Sequence, residues 1–153
     1  MLNIGVISDT HGLLRPQAIA ALNDCQYILH AGDIGAPGIL EQLGRIAPVY
    51  AIRGNVDVEP WAQSIPLTEV VELGGKSIYI LHDRNTLDLN PTVAGFAAVI
   101  FGHTHQPLIE TKDDVLYFNP GSAGPRRFKL PVSLGKIRIY QGKLSPALIP
   151  LVA

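Results

Sequence analysis

His103 and His105, one residue apart, follow directly on the apolar run 97–100, with Phe101 and Gly102 leading into them. Packing gives no reason for two imidazoles at the mouth of a buried strand. In extended backbone, residues i and i+2 share a face, so both rings are expected on one side. Gly102 is expected to let the chain turn tightly where the strand ends. His-x-His pairs also arise by chance, so the other apolar runs decide the matter. Residues 2–8 lead into Asp9, Thr10 and His11, residues 27–32 into Asp33, 49–54 into Asn55 and 77–81 into His82. The candidate ligands are therefore Asp9, His11, Asp33, Asn55, His82, His103 and His105. They comprise two carboxylates, one amide and four of the chain's five histidines.

One cation cannot use so many donors, whereas two cations sharing a carboxylate can. The mixed oxygen and nitrogen set favours Mn, Fe, Zn, Co or Ni over Mg or Ca alone. No cysteine lies near these positions, which argues against a thiolate zinc site. Two ions about 3.5–4 Å apart clamp the attacking and leaving oxygens of an in-line displacement and acidify a bound water. Hydrolysis of a phosphate ester is the reaction class that most needs both.

To converge, these residues need strands that end at one edge. Each run is short and rich in Val, Ile, Leu and Ala, as in strands buried on both faces. In open α/β sheets such strands present ligands at their carboxyl ends. Between the first three runs lie two amphipathic stretches. Pro16 suits the first turn of a helix within residues 13–24, with Leu14, Ala18, Ile19 and Leu22 as its apolar stripe. Pro37 opens a second, with Ile39, Leu40 and Leu43 inward. This is a βαβαβ opening with parallel strands. Residues 57–66 read as a loop or short helix, and Gly74-Gly75 as the turn of a hairpin from 68 to 81. A short helix within 88–96 precedes the strand leading to His103. Antiparallel hairpins turn at 112–114 and at Gln141-Gly142, separated by the turn-rich segment 119–125. Two sheets packed face to face with helices outside follow as the architecture.

The chain has 153 residues, 47% hydrophobic and 16% charged, which fits one compact domain over 1–153. No apolar run is long enough for a bilayer, and no basic region with a long apolar segment opens the chain, so no membrane contact and a cytoplasmic location are expected. The single cysteine, Cys25, excludes an internal disulfide and reads as a packing residue. A net charge of −1 and the lack of a basic, aromatic groove argue against nucleic acid as a partner. The strands within 132–151 are candidates for pairing between subunits in a homo-oligomer.

Taken in order, Asp9-Thr10-His11, Gly32-Asp33, Gly54-Asn55, His82 and Gly102-His103-Thr104-His105 resemble the motifs of the calcineurin-like metallophosphoesterase superfamily. The short length, His30-Ala31-Gly32-Asp33 and Asn119-Pro120-Gly121-Ser122 are similar to its small bacterial and archaeal phosphodiesterase branch. The resemblance spans nearly the whole chain. It implies an α/β four-layer αββα sandwich of two mixed β-sheets flanked by helices. It also implies a phosphodiesterase with two divalent metal ions, Mn favoured, that hydrolyses a small phosphate-ester substrate by in-line attack of a metal-bound hydroxide. Asp9, His11, Asp33 and His105 would hold one ion, and Asn55, His82, His103 and the shared Asp33 the other. Asp33, Asn55 and His82 would form the catalytic set.

Two positions depart from the family pattern. Many members carry a histidine after the asparagine of the third motif, to meet transition-state charge or help the leaving group; here Val56 stands there, followed by Asp57. Diesters with good leaving groups are therefore the expected substrates. Asp83 follows His82 where glycine is frequent, which alters the local loop. Relatives of the retromer-subunit type keep the sandwich as interaction scaffolds after losing ligands. That reading is the alternative, and all seven positions are intact here.

Simpler roles compete at single residues. Asp33 suits a cap for the helix after it, and Asp9 a cap for the turn before Leu13. His30, inside its strand, reads as support or packing rather than a ligand. Residues 119–122 suit a turn beside the site or a backbone cradle for phosphate, Arg126 and Arg127 solvated charges or contacts to substrate phosphate, and Trp61 packing. Arg53, two residues before Asn55, has no assigned role.

Overall fold

The structure, a computed structural model, describes residues 1–152. Among the described residues, ten strands form two five-stranded sheets. In the first, β1 (Leu2–Ile7), β2 (Tyr27–His30) and β3 (Val49–Ala51) run parallel, joined by α1 (Pro16–Leu22) and α2 (Pro37–Gly44). The hairpin of β9 (Ser133–Tyr140) and β10 (Lys143–Pro150) adds antiparallel to β1, leaving β10 at the outer edge. The second sheet has the order β4 (Thr68–Leu73), β5 (Lys76–Leu81), β6 (Ala98–Ile100), β8 (Val115–Asn119), β7 (Leu108–Lys112). In it β5, β6 and β8 are parallel, with β4 and β7 antiparallel at the edges. Both sheets are mixed.

Alternation along the strands builds the layers. Ile4 and Val6 of β1, Leu29 of β2, Ile78 and Ile80 of β5 and Ile100 of β6 meet between the sheets, around Phe118 of β8. Ile7 and Ile28 point the other way, onto Ala18 and Leu22 of α1 and Ile39 and Leu43 of α2. Gly5 lets α1 lie close, since a Cβ there would strike Leu22. The outer face of the second sheet, with Tyr79, Val99 and Tyr117, is covered by Leu87, Phe96 and Leu108. Its fourth layer is thin, reduced to a 3-10 turn (Arg84–Thr86) and the single-turn α3 (Pro91–Ala94). No helix among the described residues is long and apolar enough to cross a membrane.

The hairpin turns fall where expected, with Gly74, Gly75, Asp113, Asp114, Gln141 and Gly142 all at positive φ. Three expectations change. The helix over 13–24 is shorter, and Ile19 is 37% exposed rather than inward, because the seven-residue α1 buries only the side carrying Ala18 and Leu22. β3 is not buried on both faces: it is an edge strand, and Tyr50 is exposed. His103 and His105 do not continue a strand, since β6 stops at Ile100 and both residues have positive φ, 73° and 63°. The period-2 argument for their shared side therefore fails.

Candidate metal centre

Because β1, β2 and β3 are parallel in one sheet and β5, β6 and β8 in the other, six strands end at the same mouth of the sandwich. The connecting backbone is tied across that mouth. The Asp9 N–H donates to the Gly32 carbonyl, the His11 N–H to Asp33 and the Gly102 N–H to His82. Five of the seven candidate residues, Asp9, His11, Asp33, His103 and His105, adopt positive φ. That region is uncommon for side chains other than glycine and clusters at functional sites.

Asp9 is fully buried, and its two oxygens differ. Oδ2 accepts from the Ser8 hydroxyl at 2.6 Å and from the His103 N–H at 3.1 Å. Oδ1 has no hydrogen-bond partner and stands 3.4 Å from His105 Nε2, 3.8 Å from His11 Nε2 and 3.9 Å from His82 Nε2. Asp33 Oδ1 accepts from the Val56 N–H, while Oδ2 lies 3.1 Å from His82 Nε2 and 3.7 Å from His11 Nε2. His82 Nδ1 donates to the Ala31 carbonyl at 2.7 Å, which turns the Nε2 lone pair toward the carboxylates. A lone pair facing carboxylate oxygens in a buried site requires a positive charge between them. A proton or a cation would supply it. Burial opposes charging His82, but Asp33, the Ala31 carbonyl and Asp9 outweigh it and raise its pKa. Burial likewise disfavours the Asp33 anion, yet His82, the Val56 N–H and His11 bring it down to about 2.

A divalent cation fits better than a proton. Asp9 Oδ1, His11 Nε2 and His82 Nε2 are buried without hydrogen-bond partners. Asp9, His11 and His105 offer ligand atoms within 4.8 Å of one another, as do Asp9, Asp33 and His82. Asp9 is common to both sets, where the resemblance implied Asp33 as the shared carboxylate. Asn55 and His103 stand at the rim. His103 packs edge-on to His82, ring centroids 5.1 Å apart, with Nε2 3.8 Å from Asp83 Oδ2. Asn55 is exposed and lines the same cleft as His82 and His103. Neither aspartate is a cap: Ala36 occupies the N-cap of α2, and the turn before Leu13 closes on the Thr10 carbonyl.

Gly32 sits at φ 98°, where glycine is favoured, whereas Gly54 and Gly102 make room rather than turns. A Cβ on Gly102 would strike Ser8 Oγ and Asp9 Oδ2, and one on Gly54 would strike Asp33. Asp83 caps its 3-10 turn by accepting from the Asn85 N–H, which settles the loop shape there. Three supporting residues were not legible as such. Asp57 accepts from the backbone N–H groups of Ile34, Gly35 and Gly54 at 2.9–3.0 Å, joining the loops after β2 and β3. Asn119 donates to the Gly102 carbonyl and to Thr104 Oγ1, bracing the histidine loop, and Ser122 donates to the Asp9 carbonyl. Asp57 signals only as an acid inside an irregular segment, whereas Asn119 and Ser122 lie in the turn-rich run that the family resemblance marks.

His30 is support, as expected. Its Nδ1 accepts from the Gly32 N–H, so Nε2 carries the proton and donates to Thr10 Oγ1, whose hydroxyl donates to the Ile34 carbonyl. Burial pushes the imidazole down to about 4, against the pull of Asp9 and Asp57. The unfolded chain takes up a proton that the folded chain refuses, so this contribution is complete above about pH 6.5 and is lost as pH falls toward 4. The loss is about 3 kcal/mol at 1.36 kcal/mol per unit. Urea midpoints of chelated protein at pH 7 and 4.5 measure it; His30→Gln should show a shallower acid limb, and identical limbs would contradict this account.

A family model described as the calcineurin-like phosphoesterase superfamily domain matches residues 2–141. A probable metallophosphoesterase of Methanothermobacter thermautotrophicus is 35% identical over 158 residues, spanning 95% of this chain and 91% of that protein. Among solved structures, a novel archaeal phosphodiesterase superposes with a TM-score of 0.81 at 25% identity, covering 97% of this chain and 100% of the other. Vps29 of Entamoeba histolytica, solved in complex with zinc, gives a TM-score of 0.74 at 22% identity, covering 99% and 100%. The last likeness is one of fold alone. With the matched model spanning β1 to β9 and every candidate ligand, the chain belongs to the calcineurin-like phosphoesterase superfamily.

Proposed function

We propose that this protein is a metal-dependent phosphodiesterase that holds two divalent ions, Mn being favoured, and hydrolyses a small phosphodiester. The observation that carries the reading is the convergence of unpartnered donor atoms at one mouth, Asp9 Oδ1 with His11 Nε2 and His82 Nε2. Asp9, His11 and His105 would hold one ion, and Asp33, His82 and the shared Asp9 the other, with Asn55 and His103 completing the set from the rim. When bound, such ions supply Lewis acidity toward the phosphoryl oxygens and acidify a water for attack on phosphorus. The chain's own residues do the positioning. Ser8 and the His103 N–H fix which oxygen of Asp9 faces the centre, and the Ala31 carbonyl fixes the tautomer of His82. Val56, 44% exposed beside Asn55, brings no proton donor for the departing oxygen. Substrates with acidic leaving groups therefore suit this site.

The test is hydrolysis of bis(p-nitrophenyl) phosphate by chelator-stripped protein before and after adding Mn²⁺, with turnover expected only after. The same addition should raise the melting temperature. A ligand at 100 times its Kd stabilises by about 2.7 kcal/mol, which for a chain of this size is about 5–10 °C. Scanning fluorimetry with Mn²⁺, and with chelator, reads it; no shift would remove the metal centre. The likeness to Vps29 keeps an interaction scaffold as the alternative. Zinc in that Vps29 complex means that metal content alone does not separate the two readings. Turnover does: metal binding with no hydrolysis of any diester would favour the scaffold.

A further inference from the structure

A cleft opens beside the centre on the side of His82 and His103. It has a volume of about 400 Å³ and its lining, mostly apolar, includes Arg53, Asn55, Leu67, Leu81, His82 and His103. It thus borders His82, Asn55 and His103 but neither His11 nor His105. Leu67 is 63% exposed, an apolar side chain held in water beside a polar centre. Arg53 is held in place by its neighbours. Its Nη1 donates to Gln63 Oε1, and Gln63 Nε2 donates in turn to the Val58 and Glu59 carbonyls. That relay leaves Arg53 Nε without a partner. Asp83 also lines the cleft, with one oxygen committed to the Asn85 N–H.

We propose that this cleft is the subsite for the retained organic group of the diester, that it selects a flat apolar group such as an aryl ring, and that Arg53 binds the substrate's single negative charge. The proposal rests on the phosphodiesterase reading above and names its substrate class. In-line displacement sends the leaving group away from the attacking oxygen, whereas a group lodged on the flank beside His82 and His103 lies across that axis and stays on phosphorus. The Leu67 and Leu81 side chains give such a group an apolar wall. Arg53 brings one positive charge to the cleft and Asp83 one negative, so a monoanionic diester suits this lining better than a dianionic monoester.

The test compares p-nitrophenyl phenyl phosphate with p-nitrophenyl methyl phosphate, which share a leaving group and differ only in the retained one. Metal-loaded protein should prefer the phenyl ester about tenfold in kcat/KM, the range that a well-filled apolar subsite supplies. In Leu67→Asp the ratio should fall to within about twofold of unity. Arg53→Gln should raise KM for both esters about tenfold with a smaller effect on kcat, since it removes binding common to ground and transition states. Equal kcat/KM for the two esters in the wild type, or an unchanged ratio in Leu67→Asp, overturns the subsite while leaving the phosphodiesterase reading in place. Binding gives a readout independent of turnover. Diphenyl phosphate, and not dimethyl phosphate, should shift the methyl resonances of Leu67 and Leu81. Absence of that shift overturns the subsite even if the protein hydrolyses nothing.

Discussion

Asp33→Asn should lower turnover of bis(p-nitrophenyl) phosphate by a factor on the order of 10³ while leaving the fold intact. The amide oxygen can still accept from the Val56 N–H in place of Oδ1, so the loop after β2 keeps its anchor. The amide nitrogen takes the place of Oδ2, 3.1 Å from His82 Nε2, and can donate to the lone pair there. The variant thus supplies by hydrogen bonding the positive end that the wild type needs from a proton or a cation. Several kcal/mol of charge stabilisation disappear with the anionic donor, and each 1.36 kcal/mol is tenfold in rate. Melting of chelated protein separates this from misfolding: Asp33→Asn should melt no lower than the wild type, with reduced metal content on reloading. Activity within about tenfold of wild type would remove Asp33 from the centre.

The largest effect on stability is expected at Asp57, a residue outside the candidate ligand set. Its carboxylate is 2% exposed and accepts three backbone N–H groups, from Ile34, Gly35 and Gly54. Asp57→Ala leaves those donors without partners, at about 1–3 kcal/mol for each buried group. After partial relaxation the total should be about 3–5 kcal/mol, read from urea unfolding with an unchanged m-value. Asp57→Asn should lose less, since one oxygen remains to accept. Ile34 and Gly35 directly follow Asp33, and Gly54 precedes Asn55, so catalysis should fall together with stability. A loss under about 1 kcal/mol in Asp57→Ala would show that other contacts align the two loops.

Much of this arrangement is legible in the sequence. Short apolar runs ending on Asp9, Asp33, Asn55 and His82 marked the strand ends, because buried parallel strands are apolar throughout and their tips are where polarity returns. Gly74-Gly75 and Gln141-Gly142 marked hairpins through their need for positive φ. What escaped depends on segments distant in the sequence. Asp57 is a loop acid until the chain 23 residues earlier presents its N–H groups. Gly102 reads as a turn glycine until Ser8 and Asp9 arrive beside it. The edge position of β3 follows from sheet order, which local composition does not encode. His103 and His105 were placed on one side by strand periodicity, but the loop sets their torsions one at a time.

Those torsions have a consequence for how the molecule can change. Asp9, His11, Asp33, His103 and His105 all hold backbone conformations that glycine would adopt more comfortably. Each costs on the order of 1–3 kcal/mol, sustained by the surrounding sandwich. At Asp9 and Asp33 the carboxylates offset that cost by accepting from Ser8, His103 and Val56. A descendant released from its chemistry would gain robustness by drifting to glycine at the three histidines first, long before its interior had any reason to change.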